Sequence, residues 1–292
     1  MKKAAKSLIG VTGSTGYLGG ALVSALRAQS LNVVEFRRSP PDAESGALVR
    51  QLDLARPIES TSFEGLSCLV HAAWDLVETD RRRAWTVNVE GSKRLLESAL
   101  AGGVERVIFV SSMSAYFGTK QDYGLMKLAV ERAVLEAHQV VVRPGLVYGT
   151  QSGGMALTLE KLARLPIIPV FRGAHQFTLH VDDFLAAVST LVSLKEVPSG
   201  VIGLANETPT AFRELMLALA AAAHRSPMTV EVPWRPLLGL LRTAEKIGVP
   251  LPVRSDSLLG LVRPASSVPG RELATELGLT FRPFTLAVDS EV

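Results

Sequence analysis

The stretch from Leu8 to about Ala28 constrains this chain more than any other. Leu8 to Thr12 reads as a short strand, and Thr12-Gly13-Ser14-Thr15-Gly16-Tyr17-Leu18-Gly19 turns directly into an amphipathic helix. A strand that enters a helix through three glycines spaced three apart serves a purpose an ordinary turn does not need. Without side chains, the backbone N–H groups and the positive helix end come close enough to grip a diphosphate. Such a unit opens a parallel α/β sheet, so strands and helices are expected to alternate downstream.

They do. A second strand, Asn32 to Phe36, ends at Arg37-Arg38-Ser39, with Arg37 falling 24 residues after Gly13. At that place a dinucleotide-binding unit meets the adenosine ribose. A carboxylate there accepts from a ribose 2′-hydroxyl, whereas arginine pairs with the 2′-phosphate of NADP. NADP(H) is therefore favoured, Glu35 keeps NAD(H) open, and two arginines at a strand exit could equally be a solvated surface. Leu48 to Leu52 reads as a third strand delivering Asp53, either a partner for an adenine amino group or a loop carboxylate. A fourth, Cys68 to Ala72, ends in His71-Ala72-Ala73-Trp74, where small residues let a flat ligand lie over the strand end. His71 reads as a satisfied core histidine and Arg81-Arg82-Arg83 as a solvated helix start. Asn88 is a polar residue on a core-facing pattern, which calls for a hydrogen-bond partner.

The fifth apolar run, Val107 to Val110, leads into Ser111-Ser112-Met113-Ser114-Ala115-Tyr116. Tyr123 and Lys127 follow, four residues apart on a helix running from about Asp122 to Glu136. That spacing puts phenol and ammonium on one helix face, beside hydroxyls at the edge of the sheet. A sixth strand, Val140 to Arg143, precedes Pro144-Gly145-Leu146-Val147-Tyr148-Gly149. Six alternating units make an α/β, Rossmann-type doubly wound parallel sheet with helices on both faces and ligand-binding loops at its carboxyl edge.

The remainder changes character. Phe177 to Asp183 starts a helix reaching about Leu194, with Asp182 as its expected cap. Val201 to Leu204 reads as a strand returning to the sheet, Thr208-Pro209 as the start of an Ala/Leu-rich helix, and Pro233 to Pro283 as short amphipathic helices between proline turns. The expected organisation is a dinucleotide-binding domain over 1–150 with a return segment at 176–205, and a smaller substrate lobe over 151–292 that closes over the site. A chain of 292 residues with 47% hydrophobic content has ample material for that core. A net charge of +3 with no concentrated basic face argues against a nucleic-acid partner. The single cysteine, Cys68, makes a reducing, cytoplasmic setting the expectation. Glycines interrupt the apolar run after Met1-Lys2-Lys3, and Leu215 to Ala223 is too short to span a bilayer, so neither a targeting segment nor a membrane partner is expected. No internal repeat and no metal-ligand cluster stands out.

Taken in order, Gly13 to Gly19, Asp53, His71-Ala72-Ala73, Asn88, Ser111-Ser112, Tyr123 with Lys127, Arg143 to Gly149 and His180-Val181-Asp182-Asp183 resemble the extended short-chain dehydrogenases/reductases of the NAD(P)-dependent epimerase/dehydratase type. The resemblance spans residues 8 to about 183. It implies that Tyr123 is the acid/base, that Lys127 holds the nicotinamide ribose and that Ser112 binds the substrate oxygen. A phenol becomes a usable proton shuttle when an ammonium and an oxidised nicotinamide favour its phenolate. The implied cofactor contacts are Gly13, Thr15, Gly16, Tyr17, Leu18, Gly19, Arg37, Arg38, Asp53, Leu54, Ala72, Ala73, Asn88, Ser111, Lys127, Pro144 and Val147. Trp74, Met113, Ser114, Tyr148 and Arg172 are candidates for the substrate, with Met155 beside them and Tyr116 as a pocket wall. Two departures matter. Met113-Ser114 stands where dehydratases of the family carry an acidic pair, which argues against water elimination. The other is the short connection, with only ten residues between Ser112 and Tyr123. Separately, Gln176 stands where sugar-nucleotide members often have arginine, which weakens a diphosphate-binding claim. The leading expectation is an NADP(H)-dependent oxidoreductase interconverting a ketone and a secondary alcohol, on a small molecule or a sugar nucleotide. A nucleotide-sugar epimerase with tightly held NAD is the alternative, a cofactor-sensing protein without turnover the second, and a homodimer is left open.

Overall fold

The computed structural model describes residues 8–39, 48–149, 153–249, 251 and 253–286. In chain order its strands are β1 (Leu8–Thr12), β2 (Asn32–Arg37), β3 (Val49–Gln51), β4 (Leu66–His71), β5 (Arg106–Val110), β6 (Val140–Pro144), β7 (Leu146–Tyr148), β8 (Ile167–Val170), β9 (His175–Gln176), β10 (Thr178–His180), β11 (Gly200–Leu204), β12 (Thr210–Ala211) and β13 (Met228–Glu231). The helices are α1 (Tyr17–Ala28), α2 (Arg81–Trp85), α3 (Gly91–Ala101), α4 (Asp122–Glu136), α5 (Gly154–Ala163), α6 (Val181–Ser193), α7 (Phe212–Ala222), α8 (Trp234–Lys246), α9 (Ser255–Val262) and α10 (Arg271–Glu276), and a π-helical turn over Thr86–Glu90 joins α2 to α3.

Seven strands form one parallel sheet in the order β11-β6-β5-β4-β1-β2-β3. Its central strands are apolar on both sides because both faces are covered, as crossover helices require. Leu22 and Leu26 of α1 pack with Phe184, Val188 and Leu191 of α6 on one face. Leu95 and Ala99 of α3 pack with Val130 and Val134 of α4 on the other. After β3 the chain crosses to β4 on the far side of β1, so the strand order reverses between β1 and β4. Ligands of open α/β sheets bind in the crevice such a reversal leaves at the carboxyl edge.

A further apolar cluster joins Leu159 of α5, Ile168 of β8, Phe212 and Leu215 of α7, Leu238 and Leu241 of α8 and Leu258 and Leu259 of α9. Parallel pairing of β8 with β13 and antiparallel pairing of β9 with β12 tie this part together. The pairing of β12 also holds Thr210 and Ala211 extended, so α7 starts at Phe212 and not at Thr208-Pro209. A second expectation is corrected at α6. Asp182 is not the cap, because β10 pairs with β7 and keeps the chain extended through His180. His180 occupies the cap position, its Nδ1 accepting the Asp182 N–H at 3.2 Å. Asp182 lies in the first turn, where a carboxylate favours the helix dipole.

His71 is a core histidine, hydrogen-bonded to the hydroxyls of Thr12 and Ser92 at 2.8 Å each. Burial, helped by the nearby Lys127 charge, pushes its pKa down to about 3, so the ring is neutral. Among the described residues, no helix is long and apolar enough to cross a membrane and no group of His, Cys, Asp and Glu side chains could hold a metal ion.

Candidate active site

The glycine turn is built by close approach. Gly13 sits at φ 70°, a left-handed conformation, and a Cβ there would meet the Ala73 nitrogen at 2.8 Å. A Cβ on Gly19 would overlap the Gly13 carbonyl oxygen, which accepts the Gly16 N–H at 2.9 Å. Gly16, the cap residue of α1, has no side chain to bond the first-turn N–H groups. Those donors have no partner within the helix, and Gly13, Gly16, Tyr17, Leu18 and Gly19 line a cavity of about 890 Å³. Thr12 Oγ1 accepts the N–H groups of Ala72 and Ala73 at 3.1 Å each, which fixes the end of β4 against the turn. A bare helix N-terminus in a cradle that any side chain would fill suits a dinucleotide diphosphate.

The same cavity is lined by Ala72, Trp74, Ser111, Ser112, Met113, Ser114, Tyr123, Lys127, Pro144, Val147 and Met155. Tyr123 and Lys127 are brought there by α4, Ser111 and Ser112 by the end of β5. Lys127 is buried; its Nζ donates to the Val110 carbonyl at 2.8 Å and stands 3.7 Å from the Trp74 ring centroid. The Tyr123 ring meets Trp74 edge-on, its centroid 6.0 Å from that of the indole, and the Ser112 hydroxyl is near enough to favour its phenolate. Ser112 Oγ also accepts the Ser114 N–H at 3.1 Å. Ser111 donates to the Glu131 carboxylate, which is held by Arg143 through contacts of 2.8 and 2.5 Å.

Burial drives both titratable groups toward their neutral forms. The Tyr123 phenol is pushed up to about 12 by burial, with Ser112 opposing and the Asp256 carboxylate adding to it. The Lys127 ammonium is pushed down to about 7 by burial, against the pull of Glu131. The expectation that Lys127 lowers the phenol is not met by the protein's own charges. Its Nζ is turned to Val110 and the indole face, 5.7 Å from the Tyr123 ring centroid.

Other expected residues lie elsewhere. Arg37 donates to the buried Glu35 carboxylate at 3.0 and 2.6 Å, and Arg27 reaches the other oxygen at 2.8 Å. Burial alone would raise the Glu35 carboxyl, but these guanidiniums outweigh it and hold the group below its ordinary range. Arg37, Arg38, Thr15, Asp53, Leu54, Ala73 and Asn88 do not line the cavity. Asp53 accepts the Ala55 N–H at 2.9 Å, and Asn88 exchanges two hydrogen bonds with the Asp75 backbone at 2.7 and 2.9 Å. Nor do two of the substrate candidates reach it. Tyr148 donates to the Pro283 carbonyl at 3.2 Å and packs on Phe284. Arg172 is exposed, with Glu231 at 3.9 Å. Tyr116 donates to the Arg263 carbonyl at 2.8 Å. Unforeseen members of the lining include Gln121, Arg254 and Asp256. The signal that could have led to Asp256 is negative: Gln121, at the cap position of α4, makes no side-chain cap bond.

Comparisons agree with this geometry. The model of the NAD dependent epimerase/dehydratase family matches residues 9–200. Ceramide reductase of Caulobacter vibrioides is 28% identical over 243 residues, covering 78% of this chain and 74% of that protein. UDP-glucose 4-epimerase of Vibrio cholerae is 25% identical over 270 residues, covering 80% of each. In fold the chain is similar to MoeE5 solved with UDP-glucuronic acid and NAD, with a TM-score of 0.72 at 22% identity over 94% of both chains. A sheet reversing beside a glycine turn, and a family match running through β1, α4 and α6, lead to one conclusion: the chain belongs to the NAD dependent epimerase/dehydratase family, as an NAD(P)-dependent enzyme of the short-chain dehydrogenase/reductase type.

Proposed function

We propose that the chain is an NADP(H)-dependent oxidoreductase that interconverts a ketone and a secondary alcohol, with Tyr123 as acid/base, Ser112 as the hydrogen-bond partner of the reacting oxygen and Lys127 as the group that orients the nicotinamide ribose. The observation that carries it is the convergence of Ser112, Tyr123 and the buried Lys127 in one cavity with the glycine turn. A bound nicotinamide supplies or takes the hydride and, when oxidised, brings a positive charge.

In the reductive direction the carbonyl carbon gains the hydride and its oxygen gains a proton from Tyr123 Oη. A phenol raised to about 12 is fully protonated at neutral pH, so it stands ready to donate. Ser112, which lines the same cavity, stabilises the developing alkoxide by a hydrogen bond. Lys127, held on Val110 and Trp74, keeps the phenol's surroundings dry and fixed. Arg37 and Arg38 at the end of β2 are the proposed readers of a 2′-phosphate. Glu35, a carboxylate of β2 that could take a ribose hydroxyl, is already engaged by Arg27 and Arg37.

Epimerase activity on a sugar nucleotide is the second reading. A cavity of about 890 Å³ lined also by Arg254 and Arg263 has room for more than a small ketone, and one of the relatives is a UDP-glucose 4-epimerase. The test uses two probes: a ceramide-type keto lipid with NADPH, and UDP-glucose with the protein as purified. Reduction of the ketone by exchangeable NADPH, abolished in Tyr123→Phe while NADPH affinity stays within about threefold, is the expected result. Tightly retained NAD with UDP-glucose converted to its 4-epimer replaces the reductase reading by the second. Full activity in Tyr123→Phe removes the mechanism from both.

A further inference from the structure

The helix that carries Tyr123 and Lys127 does not cap itself. Gln121, at the cap position of α4, makes no side-chain cap bond, where Ser, Thr, Asp or Asn usually supplies one. The acceptor comes instead from more than 130 residues further along the chain. Asp256, in the first turn of α9, accepts the Asp122 N–H on Oδ1 at 2.7 Å and the Tyr123 N–H on Oδ2 at 3.2 Å. Both of its oxygens are spent on the first two amides of α4, the second of which belongs to Tyr123 itself.

The rest of α9 is fitted to the same segment. Gln121 Nε2 donates to the Asp256 carbonyl at 2.8 Å, and Gly260 lies so close that a Cβ there would overlap that same Nε2. At the other end Gln176 Nε2 donates to the carbonyls of Gly260 and Leu261 at 3.3 and 3.1 Å. The start of α9 is itself held from α8, since the Glu245 carboxylate accepts the Ser255 N–H at 2.7 Å and its hydroxyl at 2.6 Å. The chain of caps thus runs from α8 to α9 to α4, and Asp256, Ser255 and Glu245 all border the cavity.

We propose that Asp256 is a positioning residue for Tyr123: the substrate side of the cavity supplies the missing cap of α4, so that seating of α9 fixes where the phenol stands. This rests on the reading of Tyr123 as the proton donor. The groups facing the carboxylate are Asp122 and Tyr123 on α4 and Arg254 just before α9, with Arg81 of α2 paired to Asp122 at 2.9 Å. Removing the Asp256 charge therefore acts on the phenol directly, and loss of the cap acts on its placement.

The experiment needs no substrate. Protein labelled at tyrosine Cζ is titrated by carbon NMR, the Tyr123 signal being assigned by its absence in Tyr123→Phe, and amide exchange at Asp122 and Tyr123 is followed in parallel. Asp256→Asn, which keeps one acceptor oxygen, is expected to lower the Tyr123 titration midpoint by at least half a pH unit. Asp256→Ala is expected to speed exchange of the two amides at least tenfold and Asp256→Asn to restore part of that protection. Gly260→Ala, which leaves every charge in place and pushes the Gln121 amide off the Asp256 carbonyl, is expected to speed the same exchange, and serves if Asp256→Ala does not fold. Unchanged titration in Asp256→Asn together with unchanged exchange in Gly260→Ala overturns the proposal. A Tyr123→Phe enzyme that still turns over sinks the acid/base reading instead and leaves these readouts untouched.

Discussion

Lys127→Met probes a deeply buried ionisable group of the site, and its effect can be worked out in sign and size. Lys127 is 3% exposed, and burial brings its pKa from the ordinary 10.5 down to about 7. Between those values the unfolded chain binds a proton that the folded chain does not, so wild-type stability rises with pH by about 1.4 kcal/mol per unit from this group alone. The penalty is fully present below pH 7 and is lost as the pH rises toward 10.5. At pH 7.5, three units below the unfolded value, it amounts to about 4 kcal/mol. Methionine has a similar volume and no charge. It forfeits the hydrogen bond to Val110 and the packing of the amine on the Trp74 face, each worth about 1 kcal/mol and, with the amine already largely neutral at pH 7.5, changing little from there to pH 9. The variant is therefore expected to be inactive yet more stable than wild type by about 2 kcal/mol at pH 7.5. By pH 9 the advantage shrinks by a further 2 kcal/mol or so, to roughly nothing. Urea unfolding of both proteins at intervals from pH 7.5 to 9 measures the gap, and every other titrating group cancels in the difference. Curves that run parallel in pH would show that Lys127 keeps an ordinary pKa and that the electrostatic account of the site is wrong.

Gly19→Ala places a methyl group against the Gly13 carbonyl, so NADPH affinity, read by nucleotide fluorescence, should fall at least a hundredfold even where the variant folds. Arg37→Asp should shift the NADPH-to-NADH affinity ratio at least tenfold toward NADH, and an unchanged ratio removes Arg37 from the 2′-phosphate role. Arg143→Met strips the buried Glu131 carboxylate of its ion pair and should cost about 3 kcal/mol in urea unfolding, whereas a loss under about 1 kcal/mol would mean that Ser111 alone satisfies Glu131.

The parts of the fold read correctly from the sequence are those fixed by local chemistry. β1, α1 and α4 begin and end where apolar period, glycine spacing and helix pattern put them, because each boundary is set by residues within a turn of it. His71 was legible as a core residue for the same reason. What escaped was decided across the chain. The cap of α6 depends on β10 pairing with β7, which keeps His180 extended, and no pattern around Asp182 encodes that pairing. Tyr148 follows directly on strand-end residues that do line the cavity, yet its ring is claimed by Pro283 and Phe284 from the far end of the chain. Asp256 is the sharpest case. Nothing near it marks a role, and only the absence of a capping residue before Asp122 hinted that one had to arrive from elsewhere.

That absence bears on how the site works. One cause, burial, moves Tyr123 and Lys127 in opposite directions and leaves both biased toward neutrality, the phenol at about 12 and the amine at about 7. Asp256 pushes the phenol further the same way. A phenol kept neutral suits the proposed carbonyl reduction, in which the proton leaves Tyr123 as charge builds on the substrate oxygen. Alcohol oxidation, the first half of any epimerisation through a keto intermediate, needs the phenolate instead, and must draw on the positive charge of an oxidised nicotinamide to form it. The closer that charge, the more Lys127 is in turn driven to lose its own proton, since two cations in a dry cavity oppose each other. The protein's own electrostatics, burial first and the Asp256 carboxylate adding to it, therefore hold the phenol in the neutral form that the proposed reduction uses.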